Sequence, residues 1–343
     1  MKELTVVVPS YNRKDCLRRQ VDFWGRQKTP VIIVDGSELP LISSDNPTPN
    51  ITYIHLKESL SRRIAHAASI IKTEYVVILP DDEFYVPSAL KECVRFLKDN
   101  RDYASCKGLC IGFRKNYWTS NIEGVMDNEG LRGYSVTNNT PCDRIIGHMS
   151  PYETASIYAV HRSDVFHNIG KLLQMDHNYS CAAAMEFQIS FVVAWMGKIH
   201  ILDQLMWLRN RENPSHSWND KLLDPGIWIT EQKYSKEIKQ FVTDFSKLFP
   251  ESDDCETIRN CLLNALRTFG IQRMDRLRRT RNSDNFEIAY TALWQWLSEP
   301  VRSLLRPLLG TNQPLLALAQ QIKSRGVAVD LVELEDLVAL MKI

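Results

Sequence analysis

Over the first ninety residues, runs of four to six apolar residues, many of them β-branched, alternate with stretches of helical periodicity. Leu4–Val8 reads Leu-Thr-Val-Val-Val and stops at Pro9, a buried strand closed by proline. Pro30–Val34 is a second run, ending in Asp35-Gly36-Ser37. Ile51–His55 is a weaker third and Tyr75–Leu79 a fourth. Between them, Asp15–Trp24 carries Leu17, Val21 and Trp24 on one stripe. Ser61–Ile71 carries Ile64, Ala68 and Ile71, and a further helix opens at Pro87-Ser88-Ala89-Leu90. Strands that are apolar throughout, separated by helices, predict a mainly parallel sheet covered on both faces.

The pattern then changes. Residues 107–150 are polar and irregular and read as a long loop-rich insertion of the kind that forms lids or binding loops. Ala155–Val160 reads as a strand, with a helix starting at Val165. Tyr152 and Glu153 lie just before it. Tyr179–Trp195 is apolar enough for a buried helix, and Glu186 is its single acidic residue. A lone buried carboxylate is costly, so Glu186 is expected to be paired or to face a cleft. Gly197–Leu202 reads as a turn and short strand, and Arg209–Trp218 as a loop with two arginines, Pro214 and His216.

From about Asp220 the chain reads as helical. This gives a domain of residues 1–219 and an all-helical extension of residues 220–343, whose apolar stripes would form its own core or an oligomer contact. Arg273–Arg281 is a basic cluster close to Trp294 and Trp296. It suits either an anionic membrane surface or a solvated helix face.

Composition narrows the function classes. A net charge of +1 over 343 residues argues against a nucleic-acid binder, which would carry a strong basic excess. Eight scattered cysteines without a CxxC pair suggest reduced thiols and a cytoplasmic protein. The first strand begins within a few residues of Met1, so no signal peptide is expected. No apolar run approaches the ~20 residues of a membrane span.

The strongest chemical signal is Pro80-Asp81-Asp82-Glu83, where a buried strand runs into three carboxylates. Like charges this close need compensation, and a hard divalent cation with oxygen ligands is the simplest source. The carboxyl end of a strand in an open α/β sheet is also where such sheets bind ligands. The competing reading is a solvated turn ahead of the next helix.

Three motifs together resemble the GT-A glycosyltransferases, in particular the family-2-like group that uses nucleotide sugars. They are Val7-Val8-Pro9-Ser10-Tyr11-Asn12-Arg13, Val31-Ile32-Ile33-Val34-Asp35-Gly36-Ser37, and Leu79-Pro80-Asp81-Asp82-Glu83 at the place of an Asp-x-Asp metal motif. The resemblance implies a GT-A, Rossmann-like domain. Its nucleotide-sugar donor, UDP-linked, would be held by Pro9, Tyr11, Asn12, Arg13, Asp35, Arg63, Asp81, Asp82 and Arg209. Asp35 would accept from the uracil imide. Mn²⁺ or Mg²⁺ would be bound by Asp82, Glu83 and His216. Glu186 would act as general base in an inverting transfer to a glycan or lipid-linked glycan, with Asp176 in reserve. The chain departs from the family in having Glu186-Phe187 where Glu-Asp is usual, and a glutamate as the last acid of the metal motif. A sugar nucleotidyltransferase is the enzyme alternative, disfavoured by the absence of glycine in the Pro9-Ser10-Tyr11-Asn12 loop. An inactive GT-A-like scaffold is the other. The expected location is cytoplasmic, with peripheral contact to the inner face of a membrane as an alternative to a fully solvated extension, and the extension offers a route to homo-oligomers.

Overall fold

The computed structural model describes residues 1–41, 48–116, 119–126, 134–150, 152, 154–212, 223–249, 255–282, 301 and 313–342. The first strands form where β-branched residues cluster. They are β1 (Leu4–Ser10), β2 (Val31–Asp35), β3 (Ile51–His55) and β4 (Tyr75–Ile78). All their mutual pairings are parallel, in the order β4-β1-β2-β3. The helices α1 (Lys14–Gly25) and α2 (Leu60–Ile70) make the crossovers. Ser59 starts α2 by accepting a hydrogen bond from the Arg62 amide. Parallel pairing with register Ser10–Asp35 brings the carboxyl ends of β1 and β2 to one edge, and Ile78 delivers Asp81 to the same edge.

The sheet continues with β5 (Phe84–Tyr85), α3 (Pro87–Asp99), β6 (Tyr103–Lys115), β7 (Ile122–Val125), α4 (Pro141–His148), β8 (Val160–Arg162), α5 (Ser163–Leu173), α6 (Ala183–Met196) and β9 (Lys198–Asn210). β6 and β9 pair in parallel. The pairings of β6 with β7 and β8, of β4 with β8, and of β5 with β9 are antiparallel. The result is an α/β fold with a parallel half and a mixed half.

Side chains of successive strand residues go to opposite faces. Val7, Ile32, Val34, Val76 and Ile78 enter one core with α2, α5 and α6. Val6, Val8, Ile33, Val77 and Leu79 enter the other with α1 and α3. α6 is apolar all round and buried all round, as a helix between layers must be.

Three expectations are corrected. The described residues of 107–150 are not an irregular insertion. They hold most of β6, all of β7 and α4, because polar Ser105 and Lys107 are buried within sheet pairings. β6 bulges against β9, and Gly108 is required there: a Cβ would lie 2.5 Å from the Gln204 carbonyl oxygen. Ala155–Val160 is not a strand. Thr154–Tyr158 forms a 3₁₀ turn, stabilised where Tyr85 donates to the Tyr158 carbonyl and Ser156 meets Ser190, and the strand starts at Val160. Arg209 and Asn210 end the 13-residue β9 instead of opening a loop.

In the C-terminal region α7 (Pro225–Thr230), α8 (Ser235–Leu248) and α9 (Cys255–Asn282) are followed by β10 (Gln313–Pro314), α10 (Leu315–Ser324) and α11 (Leu331–Met341). Among the described residues, the extension's buried apolar side chains belong to the two cores of the sheet. Phe241, Phe245, Leu262 and Phe269 join the α6 side, while Leu315, Leu318, Leu337 and Met341 join the α1–α3 side. β10 also adds two residues to the sheet beside β7, so the extension is not wholly helical. Among the described residues no helix is long and apolar enough to cross a membrane.

Candidate functional site

A cavity of about 700 Å³ opens at the carboxyl ends of β1 and β4. Pro9, Ser10, Tyr11, Arg13, Arg63, Asp81, Asp82, Glu83, Glu186 and Arg209 all line it, together with Tyr158, Met185, Asn210 and Arg211. Nine of the expected site residues therefore converge, from β1, the loop between β1 and α1, α2, the turn after β4, α6 and β9.

The acidic turn is held by its neighbours. Asp81 accepts from Ser10 Oγ at 2.7 Å and from Arg13 Nη1 at 3.1 Å. Burial raises the Asp81 pKa despite these contacts. Asp82 lies 3.0 Å from the same Arg13 nitrogen and accepts from Asn210 Nδ2 at 3.4 Å. Burial disfavours the charged guanidinium, but Asp82 and Asp81 outweigh it and the Arg13 pKa is raised. The counter-charge expected from a metal is thus supplied in part by the chain itself.

Glu83 takes a different role. Its Oε2 accepts from the Trp207 indole at 2.6 Å, and burial, then the charge of Asp82, push its pKa from 4.5 up to about 8. The indole thus engages one oxygen of a carboxylate that the sequence reading paired with Asp82.

Asp35 is also placed differently from expectation. It is fully buried and does not line the cavity. Oδ1 accepts from the Ser37 amide and hydroxyl, and Oδ2 from the Leu41 amide and the Tyr53 hydroxyl. Burial opposes its charge, yet bonds from Ser37 and Tyr53 prevail and lower its pKa. A carboxylate has about four lone-pair sites, and all are used, so none is left for a uracil imide. Asn12 likewise stays off the cavity. Its backbone is left-handed at φ 55°, which asparagine tolerates, and its backbone N–H donates to Ser37 Oγ.

Arg63 lines the cavity, but its Nη1 donates to the carbonyls of Ser10 and Val34, which are the strand ends. Gly36 makes room for it, since a Cβ there would lie 2.7 Å from the guanidinium carbon. Arg62 points away, to Asp176 at 3.2 Å, and Asp176 is not in the cavity wall. Glu186 sits in the first turn of α6, where the helix dipole favours a negative charge. Arg209 stacks over Trp207 with its carbon 5.5 Å from the ring. His216 and Glu153 lie outside the described residues, as do Trp294 and Trp296.

Among the described residues no three His, Cys, Asp or Glu side chains are grouped to hold a metal. A divalent ion held by one or two carboxylates plus phosphate oxygens is nonetheless ordinary chemistry. Asp82, on the cavity wall, offers the carboxylate for that donor set.

Residues 5–163 match the family model Glycosyl transferase family 2. This part of the chain is similar to that family, and its fold is α/β. The match supports a glycosyltransferase. No curated protein matches the chain by sequence. Among solved structures, residues 1–349 of S. aureus TarS in complex with UDP-GlcNAc are 15% identical, with 76% of this chain and 70% of that chain covered and a TM-score of 0.48. Another structure of TarS 1–349 is 14% identical, with 83% and 93% covered and a TM-score of 0.43. Likeness at this level carries no argument about substrate.

Several residues at the cavity are not singled out by the sequence reading: Ser10, Tyr158, Met185 and Asn210 on its wall and, behind the acidic turn, Gln20 and Trp207. Only Gln20 carried a signal. It is polar at helical spacing between Leu17 and Trp24, on the buried stripe of α1.

Proposed function

We propose that the chain is a metal-dependent glycosyltransferase that takes a UDP-linked sugar and passes it, with inversion, to a hydroxyl of a glycan or lipid-linked glycan. The observation carrying this reading is that one cavity is lined both by the Asp81–Asp82 pair at the end of β4 and by Glu186 at the start of α6.

Tyr11 is 53% exposed at the cavity and offers a ring face to the base. Arg209 and Arg211, both on the cavity wall, suit the diphosphate, since a guanidinium binds phosphate oxygens in a fork. Asp82 would hold Mn²⁺ or Mg²⁺ together with phosphate oxygens. When bound, the ion stabilises negative charge on the departing diphosphate. Glu186 takes the proton from the acceptor hydroxyl as its oxygen attacks the anomeric carbon. α6 is held in place by burial on every side, so Glu186 is presented from a rigid element.

Thermal shift with UDP, GDP and CDP, each with and without Mn²⁺, tests the donor. UDP with Mn²⁺ at a hundredfold excess over its dissociation constant should add ~2.7 kcal/mol of stability. No shift with any nucleotide would end the reading. A panel of nucleotide sugars assayed for slow hydrolysis then identifies the sugar.

A further inference from the structure

Gln20 lies on α1, fully buried, behind the acidic turn and away from the cavity wall. Its Nε2 donates to two backbone carbonyls of the turn, Asp81 at 3.1 Å and Glu83 at 2.8 Å. Its Oε1 accepts from the Trp24 indole at 3.0 Å. The indole can only donate, so it fixes which end of the amide faces the turn. Both amide hydrogens then go to carbonyls two residues apart. Pro80 accepts from the Glu83 amide at 3.2 Å, which closes the turn on its other side. Phe23 adds an edge contact to Phe84, ring centres 6.3 Å apart.

We propose that Gln20 is a positioning residue for the donor: by holding the carbonyls of residues 81 and 83 against α1, it sets the direction in which the Asp82 carboxylate enters the cavity. The turn is thereby fixed twice, through the Gln20 amide of α1 behind it and through Arg13, the residue before α1, at the cavity side. Without the amide, two buried carbonyls lose their partners, and such groups reorient toward water or other donors. Reorienting a carbonyl in a four-residue turn rotates the peptide planes that carry Asp81 and Asp82. The proposal rests on the nucleotide-sugar reading for its effect on ligand, but not for its effect on the turn.

The test uses Gln20→Met, matched in length and without donors, on the full chain. Two measurements are made. In the first, affinity for UDP with Mn²⁺ is compared with affinity for uridine. Gln20→Met should weaken UDP about tenfold or more and leave uridine within twofold, because only the diphosphate depends on Asp82. A merely structural loss lowers both together and would overturn the proposal. In the second, hydrogen exchange of the amides of residues 81–86 is measured without nucleotide. Exchange there should quicken about tenfold relative to β1 and β2, and unchanged protection would also overturn it. If Gln20→Met fails to fold, Trp24→Phe removes the indole donor while keeping the amide, and should show both effects in the same direction but smaller. If the wild-type chain binds no UDP, the donor reading fails, and with it the role proposed for Gln20 toward the donor; the exchange measurement then still decides whether Gln20 holds the turn.

Discussion

Arg13 Nη1 lies 3.0 Å from an Asp82 oxygen, so the acidic turn is partly neutralised by a side chain from the start of α1. A divalent ion approaching Asp82 meets that guanidinium as a competitor. Two unit charges a few ångströms apart near a protein surface interact by about 4 kcal/mol. Arg13→Ala should therefore lower the Mn²⁺ concentration that half-saturates UDP binding, about tenfold, while costing about 1–3 kcal/mol of stability. Titration calorimetry at fixed UDP measures the first effect. A higher Mn²⁺ requirement would show that Arg13 helps the metal instead of opposing it.

Glu186→Gln keeps the shape of the first turn of α6 and removes the proton acceptor. Loss of a general base typically costs 10²–10⁴ in rate. Transfer should fall by about that factor with UDP affinity unchanged. Transfer at the normal rate removes Glu186 from the mechanism.

Two buried histidines set an acid limit on stability. Burial pushes both His148 and His161 from 6.5 down to about 4. The folded state keeps them neutral, while the unfolded chain takes up protons below pH 6.5. Their contribution is present above that pH and is lost as pH falls toward about 4, by about 3 kcal/mol for each at the limit. Melting temperature should fall steadily from pH 7 to pH 5, and the slope should flatten in His161→Leu. An equal slope in the variant would show that His161 is protonated in the folded chain as readily as in the unfolded one.

The docking of α10 on β7 depends on Gly124. A Cβ there would lie 2.7 Å from Leu318 Cδ2 and 3.2 Å from the Leu315 Cα, and the latter belongs to backbone. Gly124→Ala should cost about 1–3 kcal/mol as α10 is pushed outward. UDP binding should persist, since Gly124 is outside the cavity wall. Loss of binding at full stability would mean that the extension acts on the site.

The parallel half of the fold was legible because its signal is local. Short β-branched runs need no partner to be read as strands: Leu4–Val8 and Val31–Val34 are almost wholly apolar, and the helix between them carries its own stripe. β6 was not legible, since Ser105 and Lys107 look like loop residues until β8 and β9 bury them. The boundaries of β9 were missed for the same reason. Its pairing with β6, not its own propensity, carries the strand through Arg209.

The sequence by itself determined the order of elements, the carboxylates at the end of β4 and a solitary acid in an apolar helix. These depend on residue type and spacing along the chain. Only the tertiary structure decided which of them share a cavity and what each side chain has left to offer. Asp35 spends its lone pairs on Ser37, Leu41 and Tyr53, and Glu83 accepts from Trp207, 124 positions away. Hydrogen-bond capacity is finite and is used by whichever groups folding brings near. Residue type states what a carboxylate can do, and its neighbours in space decide what it does.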